Sequence, residues 1–184
     1  MLGSLNNYSE SVHSYLTMVD QKTVEDIVET LTRCKGTIYF IGNGASASMA
    51  SHFSADMMKN GRVKTACFHD PALLTCYSND FGYENVFSQA LQDIATKDDL
   101  LFAISSSGNS ANILNAVKAA KHIGMKVIAF SGFARNNRLK QMSDISVYLE
   151  AYTYGEVEIS HNIVLHYIVD RLEALAQQAK LKTA

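Results

Sequence analysis

The stretch DLLFAISSSGNSANILNAVKAAKHIGMKVIAFSG, residues 99 to 132, contains a strand, a loop, a helix and a second strand in order. Its two apolar runs, DLLFAIS (Asp99 to Ser105) and KVIAFS (Lys126 to Ser131), are apolar almost throughout rather than alternating, as strands are when helices cover both faces of their sheet. Between them a helical pattern over residues 109 to 123 stops at Gly124, where glycine suits a helix C-terminus. The unit reads as strand, crossover helix and parallel strand.

Working outward, three further runs read as strands: TIYFI (Thr37 to Ile41), KTACF (Lys64 to Phe68) and DISVYL (Asp144 to Leu149). Helical spacing covers residues 5 to 19, 21 to 33, 45 to 59, 84 to 96 and 156 to 178. The fold expected is α/β: a five-stranded parallel sheet flanked by helices in three layers, preceded by an N-terminal helical pair. A chain of 184 residues, 47% of them hydrophobic, fills one core and is short for two, so residues 1 to 184 are expected to form one domain. The helical pair within residues 1 to 34 is not needed to complete the sheet. Its apolar positions Val12, Tyr15, Leu16 and Val19 fit packing on its own domain or contact with another subunit, and both readings stand.

A formal charge of -2, with basic and acidic residues interspersed, gives no field for nucleic acid or an anionic membrane surface. No apolar run approaches the ~20 residues that span a bilayer, and the N-terminus lacks a basic segment followed by an apolar one. Cys34, Cys67 and Cys76 are odd in number and show no Cys-x-x-Cys pairing, so no disulfide is expected. A soluble, cytoplasmic protein is the expectation.

In open α/β sheets ligands bind beyond the carboxyl ends of the strands. At such an end lie Ser105, Ser106, Ser107 and Ser110 around Gly108. Four hydroxyl donors, a glycine that lets the backbone approach and the positive end of the following helix suit a phosphate, whose oxygens need several donors. The loop holds no Lys or Arg, so the anion would be met by neutral donors. A second loop, IGNGASA (Ile41 to Ala47), supplies Asn43, Gly44 and Ser46 and also fits the permissive G-x-G-x-x-A dinucleotide fingerprint, with Asp70 after the next strand as a ribose acid.

Taken together, GNGASASMASHF, SNDFGYENVF and the serine-loop segment resemble the sugar isomerase (SIS) fold, and within it the phosphoheptose (sedoheptulose 7-phosphate) isomerase family. The resemblance covers most of the chain. It implies a homotetramer with active sites between subunits that converts sedoheptulose 7-phosphate to D-glycero-D-manno-heptose 7-phosphate. By the same resemblance Asn43, Gly44 and Ala45 line the sugar site, Asn79 and Asp80 lie nearby, and Ser105, Ser106, Ser107 and Ser110 hold the phosphate.

Moving a carbonyl between adjacent carbons needs a base, an acid partner and stabilisation of an enediol. His52 and Asp56 are four residues apart and share a helix face, while Glu158 and His166, eight apart, lie roughly 80° from one another around a helix. His161 is off that side, and His13, His69 and His122 read as surface or capping residues. The resemblance implies that Asp56 and His166 are the acid–base pair, that Asp56 and Glu158 also contact substrate, and that His52, Asp56, Glu158 and His166 form a zinc site. Family members carry Glu at the position of Asp56 and Gln at that of Glu158, and because Asp56 is shorter by one methylene, either Asp56 or Glu158 can be the base. Those two departures leave a second reading, a catalytically silent SIS protein that binds phosphosugar or a protein partner.

Overall fold

The computed structural model describes residues 3 to 183, so residues 1, 2 and 184 of the expected domain lie outside them. Two helices come first, α1 (Leu5–Thr17) and α2 (Gln21–Arg33), followed by β1 (Ile38–Ile41), α3 (Ala45–Lys59), β2 (Thr65–Cys67) and α4 (Pro71–Phe81). A 3₁₀ turn (Tyr83–Asn85) leads into α5 (Val86–Ile94), β3 (Leu100–Ser105), α6 (Ala111–Ile123), β4 (Lys126–Ser131), α7 (Arg138–Met142), β5 (Ile145–Tyr148) and α8 (Tyr154–Thr183). The five strands are all parallel, in the order β2-β1-β3-β4-β5.

Strand periodicity sorts the core into two halves. Ile38, Phe40, Leu100, Phe102, Ile104, Ile128 and Phe130 face one side, under α2, α3 and α8. Tyr39, Ile41, Leu101, Ala103, Val127 and Ala129 face the other, against α5 and α6. The first side is built around a row of stacked rings, Phe40 on Phe102 at 4.8 Å and Phe102 on Phe130 at 5.2 Å. Both faces are covered, which is why the strands lack alternation.

The N-terminal pair packs within its own chain. In α2, Val24, Ile27, Val28 and Leu31 recur at helical spacing and are buried on the sheet. Among α1 residues only Val12 is buried; the helix lies along α8, with Tyr8 at the start of that helix beside Gly155. Two helices were not anticipated by periodicity, α4 and α7. The first starts where Asp70 caps it, its carboxylate accepting from the backbone N–H of Ala72 (2.9 Å) and Leu73 (3.2 Å), with Pro71 in the first turn. Among the described residues no helix is long and apolar enough to cross a membrane, and the three cysteines are unpaired.

Candidate functional site

β1 and β3 are neighbours in the sheet, but the chain leaves them in opposite directions: α3 packs on the Phe40 side and α6 on the Tyr39 side. That divergence opens a crevice at the carboxyl ends of the two strands, the place where ligands bind in sheets of this order. Each loop turns tightly into its helix. Any side chain at Gly42 would come within 2.5 Å of the Ser46 backbone, and Gly44 has φ +56° and ψ -125°, a conformation suited to glycine. At Gly108, φ is +62° and an added carbon would overlap the Asn137 carboxamide.

The crevice holds a cavity of about 260 Å³. Asn43, Gly44, Ala45 and Ser46 line it from the β1 loop, Ser105, Ser106, Ser107 and Ser110 from the β3 loop, and Tyr154 and Glu158 from the start of α8. Ser106 Oγ is buried and has no hydrogen-bond partner among the described residues. Leaving such a group unpaired costs about 1–3 kcal/mol, so a hydroxyl in this position calls for a ligand acceptor. Burial pushes the Glu158 carboxyl up. A larger cavity, about 360 Å³, lies by the opposite ends of the strands among Arg33, Lys97, Asp98 and Lys126, remote from every candidate residue.

The predicted residues therefore separate into groups. The sugar-loop and serine-loop residues meet in one cavity, joined by Glu158. His52, Asp56 and His166 form a second cluster between α3 and α8, their ligand atoms all within 4.8 Å of one another. His52 Nε2 is 3.3 Å from Asp56 Oδ2, and the His166 ring rests edge-on against Phe53 (4.8 Å) and His52 (5.5 Å). Eight residues of helix put Glu158 about 12 Å along α8 from His166, so it does not join this cluster within the chain. Asn79 and Asp80 are exposed on α4, with Asn79 Nδ2 donating to Asp80 Oδ1 (2.9 Å), and do not line the cavity. Asp70, the ribose acid of the dinucleotide reading, is committed to capping α4.

Other residues matter that the sequence reading passed over. Tyr154 lines the cavity from the start of α8. His69, read as surface or capping, is half-buried; its Nε2 lies 3.1 Å from the Gly42 carbonyl and Nδ1 2.7 Å from Cys67 Sγ, and burial lowers its pKa. Asn137 is buried and ties down the exit of β4, the two hydrogens of its Nδ2 shared among Ser131 Oγ (3.2 Å), Gly132 O (3.2 Å) and Ala134 O (2.9 Å). Asparagine preceding a short helix was the available signal, but caps are common and this one faces inward.

His161 is fully buried, with Nε2 3.3 Å from the Ser131 carbonyl. Since a carbonyl only accepts, Nε2 carries the proton. Ser131 pairs with Ser105 in the sheet, so this bond anchors α8 to the strand beside the serine loop. Burial pushes the imidazole down from 6.5 to about 4. Above pH 6.5 it is neutral folded or unfolded; as pH falls toward 4 the unfolded chain takes up a proton that the folded chain excludes, and stability is lost. The loss expected from this group is about 3 kcal/mol. His161→Gln, which keeps a donor without titrating, should show a shallower fall in urea-unfolding free energy between pH 7 and 4. His69 contributes a dependence of the same sign in both proteins, so the difference between the two curves isolates His161.

The molecule is a doubly wound parallel sheet with a hydroxyl-rich loop at its switch point, and the SIS domain family model matches residues 6–132. More narrowly, the chain belongs to the phosphoheptose isomerase family. It is 33% identical over 170 residues to the phosphoheptose isomerase of Helicobacter pylori (strain P12), covering 89% of this chain and 87% of that protein. It is 37% identical over 144 residues to that of Glaesserella parasuis serovar 5 (strain SH0165), covering 75% and 74%. The structure of phosphoheptose isomerase from Neisseria gonorrhoeae superimposes with a TM-score of 0.84 at 28% identity, over 91% of this chain and 94% of that one.

Proposed function

We propose that this protein is an aldose–ketose isomerase that converts sedoheptulose 7-phosphate to D-glycero-D-manno-heptose 7-phosphate through an enediol. The observation that carries the reading is the cavity between the β1 and β3 loops, where the unpartnered, buried Ser106 hydroxyl stands among three further serines beside an Asn-Gly-Ala sugar loop. In it the serines hold the phosphate, the unreactive end, and Asn43, Gly44 and Ala45 face the sugar. A base takes a proton from C1 while an acid protonates the C2 carbonyl oxygen; the C1 hydroxyl then loses its proton and C2 gains one. Asp56 and His166 are assigned these transfers.

Asp56 lies eleven residues beyond Ala45, about 16 Å along α3, too far for one sugar phosphate to touch both within the chain. This supports an active site shared between copies, in which the anchoring loops of one subunit meet the Asp56–His166 cluster of another. An exposed apolar stripe on α8 (Ile159, Ile163, Tyr167), between Glu158 and His166 and just beyond, supplies a surface for that contact in a homotetramer. The same contact offers Glu158 to the second copy's cluster. Two imidazoles and a carboxylate suit zinc, and Glu158 would add a fourth ligand. The ion would supply Lewis acidity at the sugar's oxygens. Asn79 and Asp80 belong to the substrate's surroundings in the same assembly. Residues 1–34 complete a single SIS domain in this reading, and three unpaired cysteines favour the cytoplasm.

The test is incubation of the purified protein, with zinc supplied, with sedoheptulose 7-phosphate in heavy water. Aldose carrying deuterium beside the carbonyl is expected. Ser106→Ala should weaken sugar-phosphate binding about ten- to a hundredfold, as for loss of a hydrogen bond to a charged group, measured by calorimetry. Tight, Ser106-dependent binding without turnover would leave the silent phosphosugar-binding reading in its place.

A further inference from the structure

Three segments that follow different strands meet at the Asn43 side chain. Its Oδ1 accepts from Tyr83 OH (2.9 Å) and from Asn112 Nδ2 (2.9 Å), and its Nδ2 donates to Asn112 Oδ1 (2.9 Å). Asn112 is buried in the first turn of α6, and Tyr83 stands on the 3₁₀ turn after α4. That turn is itself pinned to α6, because Asn115 Nδ2 donates to the Glu84 carbonyl (3.0 Å).

The orientation of every group in this cluster follows from one backbone atom. Asn112 Oδ1 accepts from the Ile113 N–H (3.0 Å), and an N–H can only donate. The Asn112 atom facing it is therefore the oxygen, the Asn43 atom opposite that oxygen must be the nitrogen, and Tyr83 must donate to Asn43 Oδ1. A carboxamide has two donors and an acceptor with two lone pairs. Both lone pairs of Asn43 are filled and one N–H is used, so a single N–H remains to serve the cavity that Asn43 lines.

We infer that Tyr83 and Asn112 are positioning residues that make Asn43 an obligate donor toward the substrate. Asn43 then cannot accept from a sugar hydroxyl; it serves an oxygen that accepts, the carbonyl or the enediol oxygen on which charge develops. The two donors on its Oδ1 also polarise the amide, which strengthens the remaining N–H. This inference rests on reading the cavity as the sugar-phosphate site.

Tyr83→Phe removes one donor without changing shape. It should lower kcat/KM for sedoheptulose 7-phosphate about three- to tenfold, the size of one net hydrogen bond. Asn112→Asp keeps the acceptor for Ile113 but sets a second carboxylate oxygen against Asn43 Oδ1, and should cost about a hundredfold. Inhibition by inorganic phosphate, which needs only the serine loop, should be unchanged in Tyr83→Phe, which alters no charge. In an Asn43→Ala background the Tyr83→Phe loss should vanish, because Tyr83 acts through Asn43. An undiminished loss in that background, or wild-type kinetics in both single variants, overturns the inference. The lock is also read without substrate. In protein with labelled asparagine side chains, the Asn43 amide should exchange slowly with solvent in wild type and faster in Asn112→Asp. Slow exchange with no turnover would count against the isomerase reading alone, whereas fast exchange in the wild type would count against the lock alone.

Discussion

Alanine at position 166 is expected to cut isomerisation roughly 10²- to 10⁴-fold, the contribution of a positioned acid–base group, while sugar-phosphate affinity stays within about tenfold. The asymmetry follows from the layout. In the proposed reading the serine loop at the carboxyl end of β3 supplies the binding energy, and His166 lies on α8 beside His52 and Asp56, away from that loop. Its ring is exposed and rests on the surface of Phe53, so its removal opens no void in the core. With the cluster holding zinc as proposed, Asp56→Asn should lower turnover and zinc content together, because it removes the carboxylate of the cluster. Steady-state kinetics, calorimetry and metal analysis on the same preparations check all three. A His166→Ala protein with normal turnover would remove this residue from the chemistry.

The second large effect concerns a glycine. Gly108→Ala is expected to destabilise the protein by about 2–4 kcal/mol in urea unfolding and to abolish measurable phosphate binding. Left-handed backbone at φ +62° accounts for about 1 of these. The larger part is the collision with Asn137, whose carboxamide holds Ser131, Gly132 and Ala134 and accepts from the Lys140 N–H (2.9 Å). Pushing it aside unpairs several buried groups at once. The Gly108 carbonyl also accepts from the Leu139 N–H (2.9 Å), so the serine loop and the β4 exit would shift together. A variant of unchanged stability would mean that Asn137 can rotate away freely.

The sheet was legible in the sequence because each strand is a short apolar run between helices with clear periods, and all five lie where those runs do. Helix α4 escaped because its apolar stripe is short and only partly buried: Leu73, Leu74 and Tyr77 pack at the edge of the core, and Thr, Cys, Ser, Asn and Asp between and around them are poor helix formers. Only the Asp70–Pro71 start announced it. Helix α7, five residues long, is too short for periodicity to register. In the site, the two loops could be read from their glycines and hydroxyls, since that chemistry is local. The Asn43–Asn112–Tyr83 contacts link residues 40 and 69 positions apart in the chain, and no spacing rule brings them together. Asp56 and Glu158 were expected in one set, but the fold puts them in different groups, because Glu158 and His166 are separated along α8 by a rise per residue that the angular argument alone did not capture.

The lack of positive side chains around the serine loop bears on competition among metabolites. Among the described residues none lining the cavity is cationic, and the one ionisable carboxyl there, Glu158, is acidic. Hydroxyls, backbone N–H groups and a helix N-terminus solvate one phosphate well, but they have no full charge with which to offset a second or third. Nucleotides and sugar bisphosphates, abundant in any cell and strongly attracted to lysine- or arginine-lined pockets, would enter this one at an electrostatic disadvantage. In the proposed reading the neutrality of the loop would act as a filter for monophosphates.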